Sequence, residues 1–325
     1  MKFAIVGAGA IGAFVGAMLA KAGEDVTLIA RGAHLRAMQE HGVRVRGALG
    51  SLDARVSATD DPATVGAVDV VLLTLKAHSL TTMAPRLAPL ICAETSVVSA
   101  QNGIPWWYFY HHGGDWDGTQ LESVDPGGVI NQSIDPARVI GCVIYPSAII
   151  TEPGIIQHIE GTRFAIGEPD GSKSERCRKI ADAFIKAGLR CPIRTNIRHD
   201  MWVKLMGNVA YNPISALTRA TLVEIVTCAE TRALAAAIMK EAESVAQRLG
   251  IELGVSIEQR LDGAEKVGHH KTSMLQDLES GRPMELEAIV GAVVELGDRM
   301  RLPLQCTQAV YACVKLLAEA RTKTE

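Results

Sequence analysis

The sequence is poor in aromatic side chains, 4% of its 325 residues, and it lacks a C-x-x-C pair, an excess of one charge and a long apolar run. Each absence excludes something. Seven cysteines, at positions 92, 142, 177, 191, 228, 306 and 313, are scattered along the chain, which argues against a zinc ribbon or a disulfide framework and fits a reducing cytoplasm. Lysine and arginine number 33 against 36 acidic residues, a net charge of −3. That balance is too even for a chain that binds nucleic acid by charge, so no nucleic-acid partner is expected. No uncharged apolar run reaches the roughly 18–20 residues of a membrane span, and no membrane association is expected. The opening residues, Met1 to Val6, reach Gly7 too soon for the apolar core of a signal peptide.

What is present is an ordinary globular composition, 48% hydrophobic and 21% charged, long enough for two domains at about 150 residues each. Up to about residue 103, short β-branched runs at 3–6, 26–30, 68–75 and 96–100 alternate with helical stretches, the pattern of βαβ units and a doubly wound parallel sheet. Residues 43–46 and 52–56 alternate in polarity around Gly47 and Gly50, which predicts an antiparallel hairpin inserted into that sheet. Alternating segments at 139–147, 155–159 and 163–166, and a helix over 174–187 closed by Gly188, complete the first domain. Beyond about Asn196 strand signals vanish and long stretches without proline or glycine appear, above all 221–249, stopped by Gly250. The chain therefore divides into a Rossmann-type α/β domain over residues 1–194 and an all-helical domain over 195–325.

Gly7-Ala8-Gly9-Ala10-Ile11-Gly12 is a G-x-G-x-x-G sequence directly after a strand and directly before a helix. Its glycines serve a tight turn, a close approach of pyrophosphate and helix packing, and the helix N-terminus offers N–H groups to the phosphates. An NAD enzyme places an acidic residue at the end of the second strand; here Arg31 stands there, and a guanidinium at that place grips the 2′-phosphate of NADP. Lys76, at the end of the 68–75 run, lies where open parallel sheets bind ligands and is a candidate for a phosphate or a substrate carboxylate. Asn102, in Gln101-Asn102-Gly103, follows another strand end and is a candidate to reach nicotinamide or substrate, although turn chemistry also explains Asn-Gly. Farther on, Trp202-x-Lys204-x-x-x-Asn208-x-x-x-Asn212-Pro213 sets an ammonium and two carboxamides along one helix face, and Pro213 is expected to kink or end that helix.

These features, with Lys271-Thr272-Ser273-Met274-Leu275-Gln276-Asp277, Arg282 and Met284-Glu285-Leu286-Glu287-Ala288-Ile289, resemble the ketopantoate (2-dehydropantoate 2-) reductase family over nearly the whole chain. The resemblance implies an N-terminal Rossmann domain, a helical C-terminal domain and NADPH-dependent reduction of 2-dehydropantoate to (R)-pantoate on the way to pantothenate and coenzyme A. It also implies that Lys204 is the catalytic lysine supported by Asn102, that Asn208, Asn212 and Ser273 bind the substrate, and that Glu285 binds or polarises the reacting hydroxyl. The chemistry agrees: hydride arriving at a ketone carbon builds negative charge on oxygen, which a proton-bearing cation stabilises and quenches.

Six of the few aromatics fall between Trp106 and Trp116, in a loop that shorter relatives lack. It is open to two readings: a wall or lid over the substrate, and packing on its own domain or on a second subunit. The first reading keeps another branched or aromatic 2-keto acid as an alternative substrate. A non-catalytic NADP-sensing regulator is the alternative from another class, disfavoured by the proton donor that a sensor does not need. The paired histidines His111-His112 and His269-His270 lack spaced carboxylate partners, so no metal is expected. Cys306 and Cys313, seven apart, are expected to face a core, and the long apolar helices are compatible with a homodimer.

Overall fold

The computed structural model describes residues 1–322. They group into two compact units: Met1–Gln101 with Pro105–Ile197, and Asn102–Ile104 with the chain from Arg198 on. The three residues 102–104, expected with the first domain, group with the second because their backbone is bonded there, as described below.

In the first unit, β-branched and leucine-rich runs buried on both faces form the centre of a mostly parallel sheet, as such runs do when helices cover them. Its strands are β1 (Lys2–Val6), β2 (Asp25–Ile29), β5 (Ser57–Thr59), β6 (Val70–Leu73), β7 (Ser96–Ser99), β8 (Val139–Ile144) and β11 (Phe164–Gly167), in the order β11-β8-β7-β6-β1-β2-β5. β11 alone runs antiparallel, against β8. The helices of this unit are α1 (Ala10–Lys21), α2 (Gly32–His41), α3 (Ala77–Met83), α4 (Val129–Ser133) and α5 (Glu175–Lys186), the last capped by the Ser174 side chain.

The predicted hairpin exists as β3 (Val43–Gly47) and β4 (Leu52–Ala54), but it is not inserted into the wound sheet. It joins β9 (Ser147–Glu152) and β10 (Ile155–Glu160) in a separate four-stranded sheet, β4-β3-β10-β9, with β3 parallel to β10. The cause is α1, an apolar helix buried on more than one side: its Gly16 faces Leu28 and Ile5 of the large sheet, while Phe14 stacks on His158 of β10 at 4.6 Å. A helix with two apolar faces needs two covers, and the small sheet is the second.

The aromatic segment packs on its own unit. Trp106, Trp107, Tyr108 and Phe109 are all buried. Gly141 of β8 leaves room for Trp107, since a Cβ there would come within 2.6 Å of the indole, and Phe109 stacks on Trp116 at 5.7 Å.

The second unit contains α6 (Ile197–Thr218), α7 (Leu222–Thr227), α8 (Ala229–Arg248), α9 (Ile257–Val267), α10 (Ser273–Glu279), α11 (Ala292–Met300) and α12 (Gln305–Thr322). Pro213 does not end α6, which continues to Thr218. Proline deletes one backbone bond, whereas Val209, Ala210, Ile214 and Ala216 around it are all buried, and that packing carries the helix past it. The stretch 221–249 is broken at Cys228, whose extended backbone separates α7 from α8. The Thr231 hydroxyl donates to the Ile225 carbonyl at 2.6 Å, satisfying an oxygen that the break leaves without its helical partner. Cys313 is exposed rather than core-facing, because Thr307, Val310 and Val314 form the buried stripe of α12. Among the described residues no helix is long and apolar enough to cross a membrane.

Candidate active site

The first functional element is the turn between β1 and α1. Gly7 has φ +94°, and a Cβ there would strike the Leu75 backbone, so glycine is the one residue the turn accepts. The N–H groups of Gly7 and Ala8 donate to the Ile29 carbonyl at 3.1 and 3.0 Å, tying the turn to β2. Gly12 packs so closely that a Cβ would overlap the Gly7 carbonyl and lie 2.5 Å from the Thr74 hydroxyl. Gly9 is the opposite case. The nearest atom to a Cβ at Gly9 is the Gly7 carbonyl oxygen, 3.9 Å away, so among the described residues nothing crowds the space above it.

The first α-helical bond of α1 runs from Ala13 N–H to the Gly9 carbonyl at 2.8 Å, which leaves the N–H groups of Ala10, Ile11 and Gly12 ahead of the ladder. No side chain caps them and the first turn holds no acidic residue. Free donors, the positive end of a 12-residue helix and open space at Gly9 fit a pyrophosphate. Sequence reasoning passed over Thr74, whose hydroxyl donates to the Gly7 carbonyl at 2.9 Å and steadies the turn. Its position at the end of a strand, two residues before Lys76, was the available signal.

Arg31 follows β2 as the exposed residue that precedes α2, and its guanidinium makes no hydrogen bond or ion pair with the described residues. Lys76 precedes α3 and is half-buried. Near Arg31, the His34 imidazole accepts from the Gly154 N–H at 2.9 Å, and burial lowers its pKa, which keeps it neutral.

The second element lies wholly in the helical unit. Lys204 of α6 donates through Nζ to Oδ1 of Asn102 at 2.7 Å, and Nδ2 of Asn102 donates to Oε2 of Glu285 at 3.3 Å. The carboxamide therefore has both ends committed, oxygen to the ammonium and nitrogen to the carboxylate, and its orientation is set by its partners. All three residues are half-buried. Gly103, at φ +85°, and Ile104, whose N–H donates to the Ala288 carbonyl at 2.8 Å, anchor the segment that presents Asn102.

Asn208, one helical turn beyond Lys204, is half-buried and stands outside this hydrogen-bonded set. Asn212, the next turn on, is 3% exposed, and its Nδ2 has no hydrogen-bond partner among the described residues. A buried donor left unpaired costs about 1–3 kcal/mol, so a fold that retains one has a use for it. Ser273 opens α10 and is exposed; Thr272 caps that helix, accepting from the Leu275 N–H at 3.2 Å, which leaves the Ser273 hydroxyl uncommitted. Among the described residues no group of three or more His, Cys, Asp or Glu side chains is placed to hold a metal ion.

A Rossmann-type sheet with a glycine turn of this kind, joined to a helical unit that assembles a lysine, an asparagine and a glutamate, defines an oxidoreductase of the dinucleotide-binding class. Comparison with known proteins narrows the class. Residues 3–106 match the family described as ketopantoate reductase PanE/ApbA, and residues 196–318 match its C-terminal counterpart. A 2-dehydropantoate 2-reductase of Mesorhizobium japonicum is 50% identical over 322 residues, covering 99% of each chain. One from Archaeoglobus fulgidus is 32% identical over 96% of each chain. The crystal structure of a Ralstonia solanacearum protein provisionally named a ketopantoate reductase superposes with a TM-score of 0.94 at 40% identity, covering 99% of this chain and 98% of that one. The chain belongs to the ketopantoate reductase family.

Proposed function

We propose that this protein reduces 2-dehydropantoate to (R)-pantoate with NADPH. The hydrogen-bonded chain Lys204–Asn102–Glu285 carries the reading, because it places a proton-bearing cation where its direction is fixed by a neutral amide. NADPH supplies the hydride when bound. Lys204 stabilises the charge that develops on the ketone oxygen and delivers a proton to it, while Asn102 holds Nζ in place. Glu285 locks the Asn102 amide and accepts from a substrate hydroxyl. Asn208, the unpaired amide of Asn212 and the uncommitted hydroxyl of Ser273 bind the substrate, whose carboxylate and hydroxyl groups need such donors and acceptors. All seven cysteines are free, which supports a place in the reducing cytoplasm.

A steady-state comparison of 2-dehydropantoate with other branched and aromatic 2-keto acids tests the substrate. The highest kcat/KM is expected for 2-dehydropantoate, and a competitor better by about tenfold, roughly 1.4 kcal/mol, overturns the choice. The glycine turn, Arg31 and Lys76 hold the cofactor in this reading. NADPH is expected to be favoured over NADH by at least about tenfold in kcat/KM. Arg31→Ala should erase most of that preference and spare the NADH rate, since the guanidinium has no structural partner to lose. Equal use of both cofactors by the wild type overturns the assignment of Arg31.

A further inference from the structure

Asn102 stands where it does because of a wide turn after Glu285. Residues Glu287–Gly291 form a π-turn ahead of α11, in which the Ala292 N–H donates to the Glu287 carbonyl, five residues back. An α-helix would spend that N–H on Ala288, four residues back. The Ala288 carbonyl accepts instead from the Ile104 N–H at 2.8 Å, and a Cβ at Gly103 would overlap the same oxygen. One carbonyl released from the helix therefore pins residues 102–104 beside Glu285.

Such turns are rare, occur mostly as single-turn bulges inside α-helices and are frequent at functional sites. Here the Glu287 side chain folds across the turn onto Gly291, where a Cβ would collide with its Oε2. Both carboxylate oxygens accept from the Tyr311 hydroxyl of α12, at 3.0 and 2.8 Å. Burial, then the facing carboxylate, pushes the Tyr311 pKa up, so the phenol keeps its proton at any physiological pH. The contact is a charge-assisted hydrogen bond between elements that do not themselves carry Lys204 or Asn102.

We propose that Tyr311 and Glu287 are positioning residues, whose hydrogen bond props the π-turn so that the Ala288 carbonyl fixes Asn102 and, through it, Lys204. This deepens the catalytic reading of Lys204, Asn102 and Glu285 and rests on it.

The test uses the full chain and the variants Tyr311→Phe, Glu287→Ala and Glu287→Gln, the last of which keeps an oxygen to accept from Tyr311. Two readouts are taken: steady-state kinetics with 2-dehydropantoate, and amide hydrogen exchange at Ile104 in the protein without substrate. Tyr311→Phe and Glu287→Ala are expected to lower kcat about 5- to 50-fold with the NADPH dissociation constant unchanged, the signature of lost alignment rather than lost binding. Exchange at Ile104 should accelerate by at least about tenfold in both, and Glu287→Gln should return both quantities to within about threefold of wild type. Unchanged Ile104 exchange in Tyr311→Phe overturns the proposal whatever the activity, and so does faster exchange with wild-type kcat. Faster exchange in a protein whose wild type reduces no 2-keto acid supports the pinning of residues 102–104 and removes the catalytic reading instead.

Discussion

Lys204→Ala is expected to lower kcat by a factor of about 100 to 10,000, the usual worth of a positioned acid, while NADPH still binds with nearly wild-type affinity. The magnitude follows from what is lost. Lys204 supplies both the charge that meets the developing oxyanion and the proton that quenches it. Affinity is spared because the glycine turn and Arg31, which hold the cofactor in this reading, lie in the other compact unit. Lys204→Arg separates the two roles: it keeps the charge but gives up its proton far less readily, so it should recover part of the rate at most. A Lys204→Ala enzyme with near-wild-type kcat removes the mechanism. The same measurement separates an enzyme from a sensor of NADP, which has no rate to lose.

How far the sequence reveals this site depends on the distance over which each feature is determined. The glycine turn was legible because strand, turn and helix N-terminus are contiguous, and each glycine answers to a local close contact or to open space. The row Lys204, Asn208, Asn212 was legible because a helix repeats every 3.6 residues. Nothing in local spacing joins Asn102 to Lys204 or to Glu285, residues 102 and 183 positions away. That union is tertiary: resemblance implied that Asn102 supports Lys204, and nothing in the sequence pointed to the hydrogen bond from Asn102 to Glu285. The same limit explains the small sheet: the β3–β4 hairpin is a local event, whereas its parallel pairing with β10 spans more than a hundred residues. Pro213 misled because a propensity was weighed without the packing around it, and the π-turn at Glu287–Gly291 left no residue pattern of its own.

The aromatic segment, which packs on its own unit, yields the second large effect, and it falls on stability. Trp107→Ala should lower the unfolding free energy of the first unit by about 3 kcal/mol, toward the low end of the roughly 3–5 kcal/mol for truncating a buried Trp. The low end is expected because the indole N–H of Trp107 is buried with no hydrogen-bond partner among the described residues, and removing it relieves part of the loss. At about 2–4 °C per kcal/mol for a unit of this size, the midpoint of thermal unfolding should fall by roughly 6–12 °C. Gly141→Ala approaches the same contact from the opposite side, pushing a methyl group within 2.6 Å of the indole, and should destabilise by about 1–3 kcal/mol through overpacking. A substrate lid predicts the reverse pattern, a changed KM and an unchanged midpoint, because a lid makes its contacts with ligand rather than with its own strand. Calorimetry of Trp107→Ala beside its kinetics decides between them, and a midpoint within about 2 °C of wild type sinks the packing assignment.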